Sequence, residues 1–140
     1  MCIRDSDLLG LGRQAIANGD FKLADRVLSK ENTRRLSDPA VMANLGWARL
    51  NNPDRDEATR MEQARELLVL AEQLDPDSIE AVGYLGRLFF MEGEVSRAQL
   101  RARRMLQIDP HSEEGMALLA ECDARTKELE DLGGSSARRR

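Results

Sequence analysis

Aromatic residues are scarce in this 140-residue chain, at 4% of the total, with one tryptophan, one tyrosine and three phenylalanines. β-Branched residues are also few, so a sheet-based core is disfavoured. Cysteine is as rare: Cys2 and Cys122 stand far apart and no CxxC occurs. That excludes a disulfide scaffold and fits a reducing compartment. The single histidine, His111, follows Asp109-Pro110 and has no ligand or catalytic partner at suitable spacing, so it reads as a solvated turn residue. Cys122 has no histidine at helical spacing and reads as a partly buried structural thiol. No apolar run is long enough to span a bilayer, and residues 1–6 lack the apolar stretch of a signal peptide. Membrane insertion is not expected, and a cytoplasmic location is. Gly83-Tyr84-Leu85-Gly86 lies inside a helical pattern and follows no strand, so it is no phosphate loop. No catalytic residue, metal site or cofactor is expected, and the chain is not read as an enzyme.

What the sequence does have is helix-forming material. Hydrophobic residues make up 41% and charged residues 33%. Ala, Leu, Arg and Glu abound, which points to an all-α chain. The net charge of −4 gives no overall attraction to nucleic acid or anionic lipid. Arg97, Arg101 and Arg104 recur at helical spacing, but no aromatics interleave them. They read as a solvated face, and nucleic acid is not an expected partner.

The chain also repeats itself. Leu11-Gly12 and Leu45-Gly46 are 34 residues apart, Leu85-Gly86 follows 40 later, and 34 more lead to Leu119-Ala120. Pro76 and Pro110 are also 34 apart, each after an aspartate. Ala24 and Ala98 each fall twelve residues after their glycine, whereas Ala64 falls eighteen after Gly46. Six residues are therefore inserted between Asn51 and Thr59, in the turn chemistry of Asn51-Asn52-Pro53-Asp54, with an extra helical turn expected before Met61. Each unit reads as two helices; in the third unit they cover residues 78–91 and 95–107. A small residue at Gly12, Gly46, Gly86 and Ala120 lets helices approach closely, and Ala24, Ala64 and Ala98 do the same from the second helix. Such a pair cannot bury its apolar side alone, so neighbours must stack.

The stretch DPDSIEAVGYLG at residues 75–86, continued by Glu92-Gly93-Glu94-Val95 and Ala98 and closed by Leu106-Gln107-Ile108-Asp109-Pro110, resembles a tetratricopeptide repeat. The resemblance covers about residues 5–112 and implies a right-handed α-solenoid of antiparallel helix pairs. The expected repeats are 5–38, 39–78 and 79–112, followed by a capping helix at 113–132 that turns Met116, Leu119 and Ala120 towards the preceding repeat. Residues 1–4 are expected to be unstructured or artefactual, and 133–140 a disordered tail. Glu31 and Asn32 depart from the small and apolar preferences of the family, so the second helix is expected to fray or bend over residues 32–35.

In such arrays the first helices of the pairs line a concave groove. The resemblance therefore implies a peptide-binding lining of Leu9, Arg13 and Ile16, then Ala43, Trp47 and Leu50, then Gly83, Arg87 and Phe90. Trp47 is the residue type enriched at binding hot spots, and Arg13 and Arg87 suit carboxylates. An acidic and apolar peptide or partner protein is expected. Some members of the family clamp the C-terminal carboxylate of chaperone tails with Lys, Asn and Arg. Here only Asn44 fits that pattern, while Leu9, Arg13, Glu80 and Tyr84 stand at the other places, so that clamp is not expected.

The reading is a non-catalytic interaction scaffold of bacterial style, as a whole protein or as the C-terminal part of a larger one. The alternatives are a secretion or pilus-assembly chaperone and a regulatory repeat module of a multidomain enzyme. The oligomeric state is left open.

Overall fold

The computed structural model describes residues 5–138, so the expectations for residues 1–4 and 139–140 lie outside the described residues. Among the described residues there are seven α-helices and no strand. They are α1 Asp5–Ala17, α2 Phe21–Arg34, α3 Pro39–Asn51, α4 Glu57–Leu74, α5 Ile79–Met91, α6 Val95–Ile108 and α7 Glu113–Arg138. The starts follow from local chemistry. Asp20, Asp38 and Asp56 accept from backbone N–H groups of the first turns of α2, α3 and α4. Pro39 occupies the first turn of α3, where its missing N–H costs nothing. The hydroxyls of Ser78 and Ser112 accept from the N–H groups of Ala81 and Gly115 at the starts of α5 and α7. Gly19 and Gly93 turn the first and third pairs with φ of 76° and 81°, in the left-handed region that glycine enters freely.

The chain divides into two compact units, 1–84 and 85–140, and the division falls within α5. In the first unit α1 packs on α2, α2 on α3 and α3 on α4. Ala15, Ala24, Leu28, Leu45 and Ala48 form a buried cluster there. Gly12 is where α1 meets α2: a Cβ on it would lie 2.5 Å from Leu28 Cγ. A Cβ on Gly46 would lie 3.0 Å from Leu68 Cγ. The insertion takes the form of a loop after Asn51 and an α4 of 18 residues, against 14 in α2.

The inserted loop is held by a buried ionic cluster. The Asp25 carboxylate on α2 accepts from Asn52 Nδ2 at 2.8 Å, from Ser29 Oγ at 3.0 Å and from both Arg55 nitrogens facing it, with Arg49 Nε 3.6 Å away. Burial pushes this carboxyl up, but the hydrogen bonds from Arg55, Asn52 and Ser29 outweigh it and hold it below the usual range.

The expected fraying of the second helix does not occur. α2 runs to Arg34, and the Arg35 N–H donates to the Glu31 carbonyl at 2.8 Å. Glu31 is fully buried, with Arg35 Nε at 3.3 Å and Arg34 NH1 at 3.6 Å from its carboxylate. The buried Glu31 carboxylate is ion-paired one helical turn on, by Arg34 and Arg35.

In the second unit α6 packs on α7. A Cβ on Gly86 would meet Leu118 at 2.8 Å and Arg101 Cβ at 3.0 Å. The register expected for the capping helix is corrected. Gly115, Leu118 and Cys122 are buried, whereas Met116 and Ala120 are exposed. Ala120 matches Gly86 in sequence, but no eighth helix follows among the described residues to press against it. Burial also raises the Cys122 thiol pKa. The helix continues past Leu132 to Arg138, where a disordered tail was expected. Two glycines each cost about 1 kcal/mol in a helix, yet propagating a formed helix needs no new nucleus. No helix among the described residues is long and apolar enough to cross a membrane.

Candidate functional site

Three helices of the first unit bring polar and aromatic side chains to one place. Arg13 comes from α1, Asn44 and Trp47 from α3, and Glu80 and Tyr84 from the first half of α5. Each sits on the first helix of its pair, and residues three or four apart on one helix share a face. That is why Asn44 with Trp47, and Glu80 with Tyr84, act as neighbours.

The aromatic half of the site is a stack. The Trp47 and Tyr84 rings lie 4.9 Å apart between centroids and 7° from parallel. Both are half-buried, so each leaves part of its edge or face to solvent. Aromatic pairs of this kind contribute about 0.5–1.5 kcal/mol beyond the area they bury. Here the stack also fixes a large amphipathic surface in one orientation, which lowers the entropy cost of using it for binding.

The polar half is organised around one carboxylate. Arg13 Nε donates to Glu80 Oε2 at 3.0 Å and Arg13 NH2 to Oε1 at 2.5 Å, a two-pronged pairing. Asn44 Nδ2 donates to Glu80 Oε2 at 2.9 Å and to the Ala40 carbonyl at 2.8 Å. The Tyr84 hydroxyl donates to Asn44 Oδ1 at 3.5 Å. Asn44 is fully buried, while the side chains of Arg13 and Glu80 keep 46% and 28% of their surface exposed. The hydrogen bond from Arg13 to Glu80 raises the pKa of this guanidinium, so its charge is fixed.

The expected lining is redistributed. Arg13 is exposed and Trp47 half-buried. Ala43, Leu50 and Gly83 are buried and offer no side chain to a partner. Leu9 and Ile16 pack against the buried cluster of the first unit, because the face of α1 that carries them is the one that closes on the core. In the second unit Arg87 is ion-paired with Glu121, and Phe90 is half-buried beside an exposed Met91. Both arginines expected to await an acidic partner therefore already face a carboxylate of this chain. In the sequence, Glu80 and Tyr84 stand out only as departures from the clamp pattern. Their 36- and 40-residue distances from Asn44 along the chain left no local sign that they would meet it.

No family model matches the chain, and no curated protein matches its sequence. The likeness to known proteins is structural. The tetratricopeptide domain of Sgt2 from Aspergillus fumigatus matches with a TM-score of 0.75 at 18% identity, over 91% of this chain and 82% of that one. The first such domain of Spaghetti, bound to the HSP90 peptide SRMEEVD, matches at 0.72 and 17%, over 88% of this chain and 95% of that one. An O-GlcNAc transferase from Thermobaculum terrenum matches at 0.72 and 21%, over 87% of this chain but 23% of its own length. At these identities the likeness shows the fold: an all-α tetratricopeptide-type solenoid of three helix pairs and a closing helix.

Proposed function

Starting from a tetratricopeptide-type fold, we propose that this chain is a non-catalytic interaction module that takes a segment of another protein across the face carrying Trp47 and Tyr84. The observation that carries the reading is their stack: the only tryptophan of the chain lies against a tyrosine ring and stays half-exposed. Aromatic anchors of this kind dominate binding energy at protein interfaces. Neighbours in fold that hold a chaperone peptide support the same class of role.

The segment presents apolar side chains to Trp47. The test uses peptides selected from a random library on the purified chain, with binding followed by calorimetry. Trp47→Ala is expected to weaken selected peptides by about tenfold or more. Undiminished affinity in both Trp47→Ala and Tyr84→Ala, with helical circular dichroism intact, sinks the reading.

A second reading is favoured by the transferase match, of which this fold is a minor part. In it the chain is the repeat module of a larger enzyme, and the same face selects that enzyme's protein substrates.

A further inference from the structure

We propose that the cleft beside Arg49 in the first unit is a binding site for a small aliphatic carboxylate, which sets its carboxylate on the Arg49 guanidinium and its chain along Leu67 and Leu70. The place follows from how the helices pack. α2 and α4 each pack on α3, and their backbones do not approach each other. Arg49 of α3 reaches into the gap. Its NH2 donates to Ser29 Oγ of α2 at 3.2 Å, and with Gln63, Glu66, Leu67 and Leu70 of α4 it lines a cleft of about 230 Å³. Sites for drug-sized ligands run from about 300 to 1,000 Å³, so the occupant is smaller. Arg49 lies two residues beyond Trp47, and residues so spaced do not share a helix face. The cleft is therefore separate from the aromatic stack, and the proposal does not rest on the peptide-face reading.

The ligand is an anion because Arg49 is short of acceptors. A guanidinium carries five N–H donors. Among the described residues Arg49 makes one hydrogen bond, to Ser29, while its Nε is buried without an acceptor, 3.6 Å from Asp25 Oδ1. The Asp25 oxygens are taken up by Arg55, Asn52 and Ser29. One carboxylate thus stands between two guanidiniums, and one positive charge is left over. Burial lowers the Arg49 pKa, the charge of Arg55 lowers it further, and Asp25 offsets part of this. A carboxylate in the cleft balances the cluster, and Arg49 keeps 22% of its side-chain surface open to receive it. Gln63 adds a donor: its Oε1 accepts from Arg55 NH1 at 3.4 Å, which leaves its NH2 group for the cleft. Leu67 is half-buried and Leu70 is 44% exposed, so they offer an aliphatic chain a wall that an inorganic anion would not use. Glu66 is the opposing charge in the lining. It is exposed, so water screens it, whereas Arg49 acts from a half-buried position.

The test titrates the ¹⁵N-labelled full chain with sodium hexanoate at constant ionic strength, followed by NMR. Hexanoate is expected to bind in the millimolar range, as its few atoms allow. It is expected to shift the Arg49 Nε–H, the Gln63 side-chain amide and the Leu70 backbone amide, and to leave the Trp47 indole N–H in place. Acetate lacks the chain and hexanol the charge, so each is expected to bind at least about fivefold more weakly. Arg49→Met is expected to weaken hexanoate by about tenfold or more. Leu70→Glu, a change at an exposed position, is expected to do the same with the fold intact, and it decides should Arg49→Met fail to fold. Glu66→Gln is expected to tighten binding by about two- to fivefold. N-Acetyl-leucine carries the same chemistry at the end of a chain: tighter binding than hexanoate identifies a chain terminus as the source, weaker binding a free acid. No saturable shift with either acid, shifts centred away from Arg49, acetate or hexanol binding as well as hexanoate, or undiminished binding in the folded variants overturns the proposal.

Discussion

At the scale of single residues, Asp25 and Glu80 show how burial sets what a carboxylate does. Both accept a two-pronged arginine and an asparagine amide. Glu80 remains partly open to water, so its pairing contributes little to stability. Asp25 is 3% exposed and ties the inserted loop to α2. Asp25→Asn strands Arg55 and Arg49 beside a neutral amide, and the loss of one partner of a buried pair costs about 3–5 kcal/mol. Urea unfolding at pH 7 measures it, and a loss below about 1 kcal/mol would show that the cluster does not hold the loop. The pH dependence has a definite sign. A carboxyl whose folded pKa is depressed contributes stability that is complete above its unfolded value, about 3.9, and is lost as pH falls through the folded pKa. Wild-type stability is therefore expected to fall below about pH 4, and Asp25→Asn to flatten that part of the curve.

At the scale of helices, two glycines on α1 separate propensity from packing. A Cβ on Gly10 meets nothing within 4 Å, whereas one on Gly12 meets three atoms of the buried Leu28 side chain, two of them at 2.5 Å. Gly10→Ala is expected to stabilise by about 0.5–1 kcal/mol, through the gain in helix propensity. Gly12→Ala gains the same propensity but overpacks the α1–α2 contact, which costs about 1–3 kcal/mol, so the net change is destabilising. Thermal melts of the two variants decide, and equal Tm shifts of the same sign would remove the close-approach role of Gly12. The same physics explains α7. A small residue matters only where a partner helix presses on it, and among the described residues no helix follows α7 to press on Ala120.

At the scale of the whole molecule, stability is expected to be uneven, as it is in arrays where each element is held by its neighbours. α3 carries the longest run of buried residues, from Val41 through Gly46. In α7 no residue after Cys122 is buried among those described, and Leu129 and Leu132 are 48% and 68% exposed. Amide hydrogen exchange is expected to be slowest in α3 and to reach near-unprotected rates in α7 beyond Cys122. Strong protection of the distal part of α7 would mean that another surface covers it.

The helix content, the pairing of helices and the positions of the turns were legible in the sequence because each has a local cause. Asp38-Pro39 starts α3, Gly19 and Gly93 permit left-handed turns, and Gly12, Gly46 and Gly86 repeat at close-approach positions. Arg13 and Trp47 could be assigned to the surface by the same repeat. The depth of Ala43, Leu50 and Gly83 could not, because a helix pattern gives a face but not how closely the next helix covers it. Nor could the pairing of Arg13 with Glu80, 67 residues away, or the stacking of Trp47 on Tyr84. Hydrogen bonds and ring contacts depend on distances of a few tenths of an ångström between separate helices, and only the packed tertiary structure fixes those distances.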